Sequence, residues 1–374
     1  MKKMFIGFFV FLLLGKKDAQ AISRTEEIAN QERLRLVHAD SLVSVSKEGQ
    51  ELWELWGHVQ LVQGEARLSC VQARWWLKDD EILLRGEVEI YDGKRTLRGD
   101  QVHYDGKTKE ETATGHVSLE SNNRKLTAQR IQYAQEEEVA SAFGNVFIRD
   151  FIEKATIQGA KAVYNRSLDY SFIEGLPQLV KVDTASGERM VVNGVKMEAW
   201  GQEQRVVVTD SVRIEKGDLK GSCQKAEYRS RENVLVLEKM PVVWQRGQRM
   251  QGDRIDIRLE GVRFQGGFIQ GKAEIVSTDS TLEDVLKGQQ ILVEARDDTI
   301  RKVIVEGQAS SLYHVVDEDD LDQGVNSVTG DRIILTFDGD RLDQVKVESS
   351  PGQCTGVYTP KKLEKVLRPE EKDL

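Results

Sequence analysis

Two stretches decide the reading of this chain: Leu97-Arg98-Gly99-Asp100-Gln101-Val102-His103-Tyr104 and Leu126-Thr127-Ala128-Gln129-Arg130-Ile131-Gln132-Tyr133. Both run apolar, x, small, polar, x, apolar, x, aromatic. Alternation with period two marks a strand with one dry face and one wet face. The pattern restarts at Val37, Leu68, Leu97, Leu126, Ile157, Val192, Gly221, Met250, Leu286 and Val328. Its small site holds Ala39, Cys70, Gly99, Ala128, Gly159, Gly194, Cys223, Gly252, Gly288 and Gly330. A second strand signal alternates with the first: Gly57-His58-Val59-Gln60-Leu61, Gly86-Glu87-Val88-Glu89-Ile90, Gly115-His116-Val117-Ser118-Leu119 and Gly144-Asn145-Val146-Phe147-Ile148, spaced by 29 residues throughout. Weaker copies follow near Val212, Val242, Ala273 and Val345.

A fixed period of this kind is the mark of a repeat architecture, in which units that cannot bury their apolar faces alone do so by stacking. The pattern therefore predicts an all-β fold, an elongated twisted V-shaped β-jellyroll (β-taco) or an open β-solenoid of about ten two-strand repeats. A small residue between two apolar ones suits a bend or bulge that folds each rung into a V. The repeat is least regular between Gly175 and Arg189, around Pro177, which sets the expected boundary between two tandem modules, 36–175 and 190–348. A polar segment, 22–35, precedes them, and a loop and charged tail, 349–374, follow.

Residues 1–21 carry Lys2 and Lys3, the apolar run Met4 to Leu14 and then Ala19-Gln20-Ala21. That order is the order of a secretory signal cleaved after Ala21, with an apolar run well short of the ~20 residues a spanning helix needs. Cleavage takes the formal charge from -9 to -12. An acidic surface argues against sequence-independent nucleic-acid binding.

No catalytic constellation, metal set or cofactor motif emerges. Asp40, Asp100, Asp253 and Asp331 recur at one repeat position, which points to a turn or bulge rather than a carboxylate pair. The histidines His38, His58, His103, His116 and His314 lack metal-ligand spacing. Cys70 and Cys223 occupy the same small site several repeats apart, too far for a disulfide in one stack, and read as small apolar residues. Tyr104, Tyr133, Tyr164 and Tyr228 could stack sugars, but they fall on the apolar phase and read as interior packing. Nothing forms a nucleotide-binding loop.

The ordered recurrence of Leu-x-Gly/Ala-Asp-x-apolar-x-Tyr and Gly-x-Val-x-Ile/Leu, opening with Leu36-Val37-His38-Ala39-Asp40, resembles the OstA-like family of lipopolysaccharide-transport proteins, which includes LptA and the N-terminal domain of LptD. The resemblance implies a periplasmic, non-enzymatic bridge that carries lipopolysaccharide or a related glycolipid by its acyl chains toward the outer membrane. It implies end-to-end pairing with other β-jellyroll transport proteins of the inner and outer membranes, while the unpaired edges of an open stack, near Val37 and Val345, predict head-to-tail self-association. The residues expected to meet lipid are the inward apolar rows Val59, Leu61, Val88, Ile90, Val117, Leu119, Val146 and Ile148, with Leu97, Val102, Leu126 and Ile131. The alternative is a structural or surface β-solenoid with a closed, packed core.

Overall fold

The computed structural model describes residues 34–47, 50–182, 187–260, 263–279, 282–296, 299–316, 321–339 and 341–361. The expected secretory signal, nearly all of the polar segment after it, and the tail beyond Lys361 lie outside them. The described residues form 26 β-strands and no helix, as the alternation predicts. The chain divides into two units, Met1–Leu235 and Val236–Leu374.

The first unit opens with β1 (Arg35–His38), β2 (Ser41–Lys47), β3 (Gln50–Gln63), β4 (Ala66–Trp76) and β5 (Glu81–Tyr91). It continues with β6 (Arg95–Asp105), β7 (Glu110–Ser121), β8 (Arg124–Ala134), β9 (Val139–Asp150) and β10 (Ala155–Asn165). From β3 onward each strand pairs antiparallel with the next, and β1 and β2 together line the outer side of β3. Beyond β10 the strands shorten to Tyr170–Glu174, Gln178–Val182, Arg189–Asn193 and Lys196–Trp200, then lengthen again in Arg205–Lys216 and Leu219–Arg229.

Every second strand turns a corner at its middle. Gly57-His58, Gly86-Glu87, Gly115-His116 and Gly144-Asn145 all adopt left-handed φ angles. Between Trp56↔Gln72 and Val59↔Cys70, two residues of β3 oppose the single residue Val71 of β4, and the same two-against-one bulge recurs between β7 and β8. Such bulges bend a strand and raise its twist. The bend thus falls on the Gly-x pair and not, as the sequence suggested, on the small site itself. The small site faces the residue just past the corner, in the pairs Val59↔Cys70, Val88↔Gly99, Val117↔Ala128 and Val146↔Gly159. Its smallness has a different cause, because the next rung closes over it: a Cβ on Gly159 would lie 2.7 Å from Cγ1 of Ile173.

Two arms therefore meet at a line of corners. Side chains from both arms share one core, with Leu55, Ala73, Leu84, Val102 and Ala113 from one arm and Val59, Leu61, Val88 and Val117 from the other. Contact of the two arms in one core is what folds the sheet on itself.

The irregular stretch near Pro177 falls inside the first unit. Gly175 and Leu176, at φ 86° and 56°, make a further corner, and Pro177 follows it. Pairing carries on through this place by Ile157↔Leu179, Leu179↔Val192 and Val192↔Ile214. The division between the units comes later, within the strand Val234–Glu238.

The second unit holds Val242–Gln245, Gln248–Gln251, Arg254–Glu260, Arg263–Asp279, Leu282–Arg296, Thr299–Val316, Asp322–Asp338, Arg341–Glu348 and Thr355–Pro360. Its inner row runs Ile255–Ile269–Ile291–Val305–Ile333–Val347, each residue directly opposite the next. Corners recur at Gly271-Lys272 and Gly307-Gln308. The strand Thr355–Pro360 lies where a loop was expected, because its Thr-Gly-Val-Tyr-Thr run pairs with Gly324–Thr329.

Candidate functional site

On the arm after the corner, register places one apolar side chain opposite the next without a break. The row is Leu36, Leu61, Leu68, Ile90, Leu97, Leu119, Leu126, Ile148, Ile157, Leu179, Val192 and Ile214. The other arm answers with Trp53, Trp75, Ile82, Tyr104, Glu111, Tyr133, Ala140, Tyr164, Ser171, Ala199, Val206 and Tyr228. One row nearer the corners, Leu55, Ala73, Leu84, Val102, Ala113, Ile131, Ala142 and Ala162 form a second inward row of this arm.

The twelve residues picked from sequence all face inward at two depths, eight on these rows and Val59, Val88, Val117 and Val146 on a further row beside the corners, opposite Cys70, Gly99, Ala128 and Gly159. Val59, Leu61, Val88, Val102, Val117, Leu126, Val146 and Ile148 are buried against other side chains. Ile90, Leu97, Leu119 and Ile131 are only half-buried although they face inward. These four come from β5 to β8 and leave apolar surface free within the fold. Leu34, Leu36 and Trp75 pack onto the core at the start of the unit. There Trp53 and Trp75 meet edge to face, with ring centres 5.7 Å apart. Sequence reading missed the tryptophan pair and Glu111, since neither fits the repeat consensus. Carrying the register across from Tyr104 and Tyr133 would have found both.

Beyond the apolar rows the rim turns polar. Arg95 binds Asp92 through Nη2 at 2.7 Å, Arg124 binds Asp150 through Nε at 2.8 Å, and Lys181 binds Glu153 at 3.0 Å. Burial works against the Asp92 carboxylate, but Arg95 and the amides of Lys94 and Arg95 hold it below its ordinary value. Asp150 is 3% exposed and also accepts the amides of Ile152 and Glu153, so it fixes the turn after β9. Tyr164 and Tyr228 are buried, and Tyr104 and Tyr133 half-buried, which agrees with interior packing rather than an outward sugar ladder. Burial raises the Tyr104 hydroxyl, with Asp80 and Glu111 adding to the shift.

The recurrent aspartates sit in the notches of the corners. Asp40 accepts from His58 Nδ1 at 2.8 Å and from His38 Nε2 at 3.2 Å, and Asp100 accepts from His116 Nδ1 at 2.9 Å. A Cβ on Gly57, Gly115 or Gly271 would run into the carboxylate of Asp40, Asp100 or Asp253. These carboxylates fill the space beside the corner glycines. Among the described residues no group of three or more His, Cys, Asp or Glu side chains could hold a metal ion. Cys70 and Cys223 are buried and Cys354 is exposed, and none of the three is in a disulfide.

Comparison with known proteins adds the following. A family model described as "LptA/(LptD N-terminal domain) LPS transport protein" matches residues 100–263. A second, described as "OstA-like protein", matches residues 31–166, so the two together cover 31–263. No curated protein matches the chain. Among solved structures it is similar to the crystal structure of LptH, "the LptA homologous periplasmic component of the conserved lipopolysaccharide transport device from Pseudomonas aeruginosa". That likeness has 13% sequence identity, a TM-score of 0.21, and covers 39% of this chain and 82% of that one. The chain belongs to the OstA-like, LptA-type family of lipopolysaccharide-transport proteins.

Proposed function

We propose that the chain is an exported, non-enzymatic periplasmic bridge that carries lipopolysaccharide or a related glycolipid by its acyl chains toward the outer membrane. The observation that carries this reading is the unbroken inward apolar row from Leu36 to Ile214, half-buried at Ile90, Leu97 and Leu119 where it crosses β5 to β7. A chain of about a dozen carbons gains ~9 kcal/mol if each CH₂ is buried at ~0.8 kcal/mol. Exposed charge repulsion from lipid phosphates amounts to ~1 kcal/mol or less per charge, so the acyl contribution outweighs the acidic surface. The residues assigned to lipid contact are the inward rows already named, with Ile90, Leu97, Leu119 and Ile131 as the accessible wall and the deeper residues as its floor.

The same reading assigns a role to the ends. Among the described residues β2 pairs only with β3, and Leu42, Val43 and Val45 on it are exposed. An unpaired strand edge either aggregates or pairs with another sheet. We assign this edge to end-to-end pairing with other transport proteins of the same fold, or with a second copy.

A photo-reactive residue at Leu119 in cells that build a lipopolysaccharide outer membrane tests the groove. Capture of lipopolysaccharide at Leu119 and Ile131, with none at the outward-facing Ser118, is the expected result. Capture of protein alone at every inward position would replace this reading with that of a packed structural solenoid.

A further inference from the structure

The segment that turns β9 into β10, Asp150-Phe151-Ile152-Glu153-Lys154, reverses the usual order of burial: its acids are drawn in and its hydrophobic side chains are turned out. Asp150 is 3% exposed, bound by Arg124 Nε at 2.8 Å and by the amides of Ile152 and Glu153, while Glu153 accepts from Lys181 Nζ at 3.0 Å. Phe151 and Ile152 are 44% and 63% exposed. The repeat does not demand them, since other turns at this end of the arm carry the polar runs Gly64-Glu65, Asp92-Gly93-Lys94, Asn122-Asn123 and Gly217-Asp218. The turn is also well fixed. The amide of Phe151 donates to the Asn123 carbonyl at 3.0 Å and the amide of Val182 to the Lys154 carbonyl at 3.1 Å, so both apolar side chains stand on a framework that is already ordered.

Alternation carries the apolar surface down the outer face of β9, where the exposed Phe147 and Arg149 share a phase with Phe151. The Arg149 guanidinium lies 5.2 Å from the centre of the Phe151 ring. Each acid beside this tip is held by another cation: Asp150 by Arg124, Glu153 by Lys181, and Glu120 by Lys125 at 3.4 Å. Among the described residues no acid is bound to Arg149 or Lys154, both of them exposed. In a chain of formal charge -9, two uncompensated cations beside an apolar tip run against the overall charge. Phe147, Phe151 and Ile152 expose roughly 300 Å² at ~200 Å² per side chain, well short of the ~800 Å² per partner that a stable protein interface buries. A bilayer requires no matching pocket, because apolar side chains sink past the headgroups while neighbouring cations stay with the phosphates.

We infer that the β9–β10 turn is a docking point for the surface of a bilayer containing anionic phospholipid, with Phe151 and Ile152 entering the acyl boundary and Arg149 and Lys154 meeting the phosphates. The site sits on the outer side of the rim, apart from the inward rows. It goes beyond the function proposed above and stands whether or not the groove carries lipid.

Flotation tests it. The exported chain, isolated from the periplasm, is floated with vesicles of phosphatidylcholine alone and of phosphatidylcholine mixed equally with phosphatidylglycerol. Binding to the mixed vesicles and not to phosphatidylcholine, weakening as salt is raised, is the expected result. Phe151→Ser combined with Ile152→Ser is expected to lower that binding about tenfold, and Arg149→Gln and Lys154→Gln about fivefold each. Leu168→Ser, which removes a side chain 66% exposed from the turn of the other arm, should change nothing. All of these side chains are exposed, so the circular dichroism spectrum should stay that of the wild type. Equal binding to both vesicles, binding to neither, or binding to the mixed vesicles that survives the loss of Phe151 and Ile152 overturns the inference. Self-association lost in the same variants, without vesicle binding by the wild type, also overturns it and assigns the turn to a second copy of the chain.

Discussion

Replacing Gly115 by alanine probes the corner that shapes every rung. Gly115 has φ +75°, where an L-residue costs about 1–2 kcal/mol. Its new methyl would also strike the Asp100 carboxylate, which lies in the notch and accepts from His116 at 2.9 Å. Displacing a packed neighbour typically adds about 1–3 kcal/mol, so Gly115→Ala is expected to cost about 2–5 kcal/mol in all. Gly187 has nearly the same φ, +74°, with nothing within 4 Å of an added Cβ. Gly187→Ala should therefore cost only the backbone part, about 1–2 kcal/mol. Asp100 is 63% exposed in its pairing with His116, so Asp100→Ala alone should change stability little. Combined with Gly115→Ala, it should return the corner to the Gly187→Ala level, a non-additivity that reports direct contact. Urea unfolding of the four variants, followed by far-ultraviolet circular dichroism, measures each difference. If Gly115→Ala costs no more than Gly187→Ala, or if removing Asp100 restores nothing, the aspartate does not fill the notch and the account of the corner is wrong.

Depth in the groove should divide the apolar residues energetically. Leu84→Ala, at a floor position 1% exposed, is expected to cost about 2–5 kcal/mol, whereas Leu119→Ala on the half-buried wall should cost under about 1.5 kcal/mol and weaken lipid capture instead. Asp150→Ala removes three acceptor bonds and leaves Arg124 on the inner rim without this partner, so a loss of about 3 kcal/mol is expected by the same urea assay, mostly recovered by Asp150→Asn. Burial pushes the Cys70 thiol up to about 11 from an ordinary 9.0. Because the folded state holds that proton more tightly, the stability tied to it is complete below pH 9 and is lost as pH rises toward 11. Accordingly, a maleimide at neutral pH should label Cys354 rapidly in the native chain, and Cys70 and Cys223 only after unfolding. Val43→Pro on the edge strand should abolish end-to-end association in sedimentation velocity while leaving the circular dichroism spectrum unchanged; persistence of oligomers would move the contact elsewhere.

The sequence by itself determined the strand content, the two-strand period and the inward phase of the repeated apolar positions between Val59 and Ile148. Those features follow from local alternation, and a period-two pattern leaves a strand no choice of which side chains share a face. Composition also settled the character of Cys70 and the recurrent aspartates, because a residue repeated at one structural position cannot be a unique chemical group. What needed the tertiary structure was everything set by register between strands. The corner belongs to Gly115-His116 and not to its small neighbour Ala128, since only pairing reveals which strand carries the extra residue. Leu61 is floor and Leu119 is wall although their motifs are the same, because depth depends on what the opposite arm places above them. Glu111 is solvated by any reading of Glu110-Glu111-Thr112, and it stands on the inner wall only because its strand pairs with Tyr104 on one side and Tyr133 on the other.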